Sequence, residues 1–415
     1  MTRSLCHAAT LPLCLLVFAA CGGGGKTATA SKPTMRDSAG VTIVENTAPV
    51  WRDGAGWTLT PKPTASIGVL DGAAEYQLFQ VSGVVRLSDG TIVVANGGTK
   101  QLRFYDASGK FLKSVGREGG GPGEFKQLGG AYLLPGDTIA TFDWNLRRVS
   151  LFTPTGDFVR SFLLTLPGNA GFLSPIGAFA DGDLLVRKGT VFMTGKVTSG
   201  AGRDSTSVYV ADTVGALVDT VGTFVGDERL VVADKTSMGV TSLAFGRQSF
   251  VGVRDSSVVF GANDTYAFEF LDRVGHVLRI VRRPHGPVPV TDADISAYKD
   301  QQLAAATDDN WRRFEERMLA KMPFPKTMPA YNALRVDALG NVWVQEYTAP
   351  GDSSNVWTVF NREGWMLGPV TLPHGFQVRD IGADYVLGLW KDENDVEHVM
   401  EYGLRKPEAQ GKEGA

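Results

Sequence analysis

Cysteine is nearly missing from this chain of 415 residues: Cys6, Cys14 and Cys21 are its three copies, and none follows them. A disulfide framework and a cysteine-ligated zinc are therefore excluded for everything beyond residue 21. Histidine is scarce as well. Beyond the first twenty residues stand His276, His285, His374 and His398, with no pair at zinc-ligand spacing. There is no basic excess either, since 41 Lys and Arg face 44 Asp and Glu. With nothing to neutralise phosphates, nucleic acid is not an expected partner. No Gly-x-Ser-x-Gly elbow and no P-loop occurs, so neither of those catalytic frameworks is available. No bound cofactor and no metal is expected. Glycine, by contrast, is abundant: 50 of 415 residues, against a norm near 7%. Tight turns in such number favour an all-β chain.

The longest apolar run, Leu11–Phe18, is too short for a membrane span, which needs about 20 residues. With Arg3 before it and Ala19-Ala20 after it, residues 1–20 read as an export signal. Phe18-Ala-Ala-Cys21 resembles the lipobox of bacterial lipoproteins, with Phe where Leu is usual. That resemblance implies acylation of Cys21 after cleavage, and a location in the bacterial cell envelope, periplasmic or associated with the outer membrane. Residues 21–37, rich in Gly, Thr, Ala and Ser, read as a flexible tether. Residues 408–415 read as a disordered tail.

From 38 to 407 the chain repeats itself. A turn bracketed by β-rich runs recurs as Leu87-Ser-Asp-Gly-Thr-Ile92, Leu134-Pro-Gly-Asp-Thr-Ile139 and Phe179-Ala-Asp-Gly-Asp-Leu184. It continues at Val253–Val258, Val336–Val342 and Ile381–Val386. A second turn follows most copies, as in Phe104-Tyr-Asp-Ala-Ser-Gly109, Phe152-Thr-Pro-Thr-Gly156 and Phe360-Asn-Arg-Glu-Gly364. Four antiparallel strands per unit of about 45 residues, repeated six times, predict a six-bladed β-propeller. The last unit, 376–403, holds three strands. Its fourth is expected from Val41–Glu45 or Trp57–Thr60, which would join the two ends of the chain.

Gly90-Thr-Ile-Val-Val-Ala and Gly116-Arg-Glu-Gly-Gly-Gly-Pro-Gly-Glu-Phe125 resemble an NHL-type repeat and its exit. More broadly, residues 38–407 resemble the six-bladed propeller lipoproteins of environmental bacteria. Asp143 and Arg148 keep that family's Asp-to-Arg spacing, whereas Asn96 and Gln101 stand there in the first unit. What the resemblance implies is fold and export. Members of this broad class bind proteins, sugars or small molecules, and a few are lyases or lactonases.

Length variation points to one rim of the propeller: the loops Met193–Ser205 and Ala349–Asn355, and an insertion at 284–329 between units four and five. Thr291 with Asp294 predicts a helix N-terminus. A second helix, about Asp309 to Lys321, places Trp311, Phe314, Met318 and Met322 on one stripe. The stripe either packs down on the rim or covers the channel mouth. Rim candidates for ligand binding are Lys100, Arg117, Trp144, Arg147, Arg282, Arg283, His285 and Trp390. The glycines at 119–123 read as a link between units rather than an anion cradle. Inner strands look small or apolar, with Asp380 the clearest carboxylate and Asp337 near a turn. Two function classes follow: a monomeric binding or scaffolding propeller for a protein, glycan or small ligand, or a lyase or lactonase-like hydrolase with a metal or carboxylate site in the channel.

Overall fold

The computed structural model describes residues 32–52, 54–166, 171–189, 199–233 and 238–407. The expected export signal, Cys21 and the tail at 408–415 lie outside the described residues, as do residues 193–198 of the expected loop at 193–205, whose residues 200–205 belong to a strand instead. The described chain folds into six sheets whose blade strands run antiparallel, each begun by an inner strand and extended outward. Blade 1 is Val81–Arg86, Ile92–Asn96, Gln101–Tyr105 and Phe111–Val115. Blade 2 is Leu128–Leu134, Thr138–Asp143, Arg148–Phe152 and Phe158–Leu163. Blade 3 is Leu173–Ala178, Leu184–Lys188, the long Gly200–Ala211 and Leu217–Ala233, and a fifth strand Met238–Ser242. Blade 4 is Ser249–Arg254, Ser257–Ala262, Ala267–Leu271 and Val277–Arg282. Blade 5 is Tyr331–Val336, Val342–Glu346, Val356–Phe360 and Met366–Thr371. Blade 6 is Gln377–Ile381, Tyr385–Lys391 and Glu397–Arg405.

The turn pattern explains the repeat. Gly109, Gly156, Gly215, Gly275 and Gly364 end equivalent turns, all with φ between 78° and 90°. A side chain there would meet the steric cost of the left-handed region, so glycine recurs. Between each pair of blades lies one apolar cluster. Val85, Phe104, Phe125 and Ile139 fill the seam of blades 1 and 2. Tyr331, Phe268 and Phe360 fill that of blades 4 and 5. The seam from blade 6 back to blade 1 holds Ile67, Val81, Leu387 and Val399. An inward-facing residue thus finds its partner on the next blade. The fold is a β-propeller.

Ring closure uses one of the two expected segments, Trp57–Thr60, together with Ala65–Ile67, which the sequence pattern does not announce. Ala65–Ile67 and Thr58–Leu59 both pair antiparallel with Glu397–Arg405, completing blade 6 from the N-terminal side. Val41–Glu45, the other expected closing strand, instead lies parallel to Val277–Arg282 on blade 4. Thr34–Ser38, expected largely within the tether, forms the edge strand beside it. Asn46 explains the anchoring. Its buried side chain donates to Gly364 O at 2.9 Å and accepts from Met366 N at 2.8 Å, pinning the segment as it passes from blade 4 to blade 5.

The insertion carries two helices, α1 (Asp292–Ala304) and α2 (Asp309–Leu319). Thr291 and Asp294 form the reciprocal cap of α1. Met318, Met322 and Met328 pack with Leu230, Val232 and Phe245, so the insertion rests on the overlong outer part of blade 3. Trp311 departs from the expected stripe: it is 47% exposed and stacks on Phe314, at 5.2 Å between ring centroids.

Candidate functional site

In blades 1, 2 and 4 the link that delivers the inner strand to the channel is held by a polar side chain at the end of the second strand. Asp143 accepts Lys126 N at 2.7 Å and Gln127 N at 2.9 Å. Asn96 accepts Phe79 N at 2.8 Å, and Asn263 accepts Gln248 N at 2.7 Å. Arg148 donates to the carbonyls of Gly120, Gly121 and Glu124. In blade 1 the same work falls to Arg103, which donates to Ala74, Glu75 and Gln77 carbonyls, so Gln101 is bypassed. The glycine-rich link is closed on itself: Glu124 accepts Gly121 N at 2.8 Å and pairs with Arg117 at 2.7 Å.

The rim residues do not form one site. Lys100 and Trp144 share a recess of about 380 Å³ between blades 1 and 2. Trp144 lies edge-on to Phe142 and Phe172 and also lines a smaller recess of about 210 Å³. Arg117 is occupied by Glu124, and Arg147 is exposed at a turn with φ of 51°. Arg282 faces Glu45 at 3.6 Å on the outer part of blade 4. Arg283 bonds Glu346 at 2.9 Å and lies 4.1 Å over the Tyr266 ring, clamping blade 4 to blade 5. His285 stands near that ring, and burial, then the Arg283 charge, lowers its pKa. Trp390 packs beside His398 on blade 6.

The inner-strand carboxylates are engaged in structure. Asp337 accepts Leu339 N and Asn341 N at 2.8 Å and Trp343 Nε1 at 3.0 Å, holding a hairpin. Asp380 accepts the Tyr385 hydroxyl at 2.6 Å, and burial pushes its pKa up. Among the described residues, no three His, Cys, Asp or Glu side chains gather as a metal site would require.

The axis of the ring holds something the rim does not. A cavity of about 420 Å³ is lined from all six blades, from Ser82 of blade 1 to Arg379 of blade 6. Its charged lining is Arg187, Arg335 and Arg379, with no carboxylate among the residues that wall it. All three residues keep solvent-accessible surface where they line this partly enclosed space. Arg335 donates to the neighbouring Leu334 carbonyl at 3.2 Å, and Arg379 reaches Gln377 Oε1 at 3.4 Å. Among the described residues none of the three forms an ion pair. Burial, and then the adjacent Arg379 charge, hold the Arg335 guanidinium below its usual range. Arg379 is lowered by burial too, and Glu397 opposes the shift. Arg335 and Arg379 also wall a recess of about 410 Å³ between blades 5 and 6, so the cavity opens toward the rim there.

Sequence reasoning passed over these arginines because inner strands looked small or apolar. The available signal was a basic residue in each of Tyr331-Asn-Ala-Leu-Arg335-Val and Gln377-Val-Arg379-Asp-Ile.

A Bacteroides vulgatus member of the DUF4221 family has a similar structure. The two align at 11% identity with a TM-score of 0.51, over 85% of this chain and 99% of that one. A Bacteroides fragilis chain put forward as an exported protein aligns at 12% identity and a TM-score of 0.46, over 88% and 99%. Virginiamycin B lyase from Staphylococcus aureus aligns at 8% and 0.39, over 83% and 99%. The likeness is one of fold. No family model matches the sequence, and no curated protein matches it.

Proposed function

We propose that this chain is an extracytoplasmic, lipid-anchored binding propeller that holds a small anionic organic ligand in its channel. The carrying observation is the set of three arginines lining one cavity with no carboxylate in its wall. Guanidinium groups are the side chains best matched to carboxylate or phosphate, through paired charge-assisted hydrogen bonds. A cavity of about 420 Å³ lies in the range of small-molecule sites. The export signal and the lipobox-like Phe18-Ala-Ala-Cys21 support the address. The lyase or lactonase reading has less support, because Asp337 and Asp380 are already committed to Trp343 and Tyr385.

The test is calorimetric titration of the full chain, carrying Cys21→Ser for solubility, with organic acids at low and high salt. Arg335→Gln with Arg379→Gln is expected to weaken binding by about ten- to a hundredfold, from the loss of charge-assisted bonds. Equal affinity in the double variant would overturn the reading. For the address, Cys21→Ser should release the protein from membranes; retention after a high-salt wash would count against acyl anchoring.

A further inference from the structure

We infer that the channel ligand carries two anionic groups, one held by Arg335 and Arg379 and the other by Arg187 across the ring. This rests on the anion reading above and adds to it the number and placement of the charges. Six blades in closed order put the three arginines at two poles rather than one. Arg335 lies on the inner strand of blade 5 and Arg379 on that of blade 6, so they are neighbours. Arg187 lies one residue from the end of the second strand of blade 3 and pairs there with Ser174 of the inner strand. In a ring of six, blade 3 stands opposite blade 6. All three side chains nevertheless wall the same cavity.

Each pole has reason to hold its own anion. At the first, two guanidinium groups repel one another inside a partly desolvated channel, and an anion between them relieves both. At the second, Arg187 shares a recess with Asp204 and Asp227, but Arg229 pairs with both, at 3.7 and 3.1 Å. Those acids therefore do not stand in for a ligand at Arg187. Between the poles the cavity offers hydroxyl oxygens. Tyr132 already donates to Pro175 O at 2.9 Å, and Ser82 to Ala95 O at 3.3 Å, which leaves each hydroxyl oxygen able to accept. That middle suits a hydroxylated backbone between two acid groups. A monoanion satisfies one pole and leaves the other exposed; an organic dianion satisfies both.

The experiment compares diacids with their own monoacids on the full-length Cys21→Ser protein: succinate with butyrate, adipate with hexanoate, and glucarate with gluconate. In at least one pair the diacid should bind ten times more tightly or better. Arg187→Gln should abolish that preference, weakening each diacid at least tenfold more than its monoacid. Arg187→Lys should retain part of it, which separates loss of charge from loss of fold. Arg335→Gln should weaken both members of each pair. Equal affinity within every pair, or a preference that survives Arg187→Gln, would overturn the dianion and leave the anion reading standing. Failure of all six acids to bind would remove both.

Discussion

Blades 1 and 2 meet the channel through uncharged residues, Gly83, Gly130 and Ala131 beside Ser82, Val84 and Tyr132; blades 5 and 6 meet it through Arg335 and Arg379. The strand plan is the same in both pairs, so the repeat does not decide this difference. In blades 1 and 2 the inner strands approach so closely that a Cβ on Gly83 would collide with the backbone of Ala131. In blades 5 and 6 the equivalent strands leave room for long side chains, and those carry charge. One side of the ring is packed for closeness and the other carries charge into the channel. Backbone repetition fixes where inner strands lie, while the residues that line the axis are free to differ from blade to blade.

The largest expected effect is at the seam where the two halves join. Ile67 is fully buried against Val399 and Leu387. Ile67→Ala removes apolar contacts from the strand that closes the ring, and should cost about 2–5 kcal/mol in chemical denaturation. Next comes Gly83→Val, which forces the blade 1 and 2 strands apart and should cost about 1–3 kcal/mol. The matched change on the other side, Arg335→Gln, should alter stability by no more than about 0.5 kcal/mol, because it breaks no ion pair among the described residues. A large loss of stability in Arg335→Gln would contradict the contrast between the two sides.

Two carboxylates sharpen the comparison through pH, with opposite signs. Asp264 receives both arms of Arg203, at 2.7 and 2.8 Å, and those hydrogen bonds hold its pKa below the usual 3.8. Its contribution is present above the unfolded value and is lost as pH falls through the lower, folded one. Glu401, buried where blade 6 meets blade 1, is pushed above 4.5 chiefly by burial. Its contribution is complete below that value and fades as pH rises through the raised one. Asp264→Asn should flatten the acid side of the stability profile, and Glu401→Gln the decline above 4.5. Asp264 is partly exposed, so that change is expected to be about 1 kcal/mol or less. An unchanged profile in Glu401→Gln would show that burial does not govern this seam.

The repeat was legible because it is local: an Asp or Gly turn between Val- and Ile-rich runs states hairpin and spacing together. The capped start of α1 was legible for the same reason. Partner choice was not. Val41–Glu45 alternates as a strand should, yet nothing in its own residues says that it joins blade 4 in parallel rather than blade 6. The channel arginines were hidden for a related reason. Arg187, Arg335 and Arg379 are far apart in the chain, and each reads as an ordinary polar position on a short strand. They become one site only after the ring closes, which no local pattern reports.

The smallest expected effect concerns the insertion, and there a null result is informative. Among the described residues, those lining the channel cavity include none from 284–329. Its buried methionines face Leu230 and Val232 of blade 3, which gives the helices a packing role on the rim. Trp311 stands out from that contact, stacked on Phe314 and 47% exposed. Trp144, in contrast, lines two recesses, one of which shares Arg187 with the channel. Ligand bound at Arg187 should therefore alter the surroundings of Trp144 and leave those of Trp311 as they were. The chain has eight tryptophans, so the measurement is a difference between variants. The change in emission on saturation with the tightest diacid should be the same in the wild type and Trp311→Phe, and reduced in Trp144→Phe. A ligand-induced change that Trp311→Phe abolishes would mean that the insertion closes over the channel mouth.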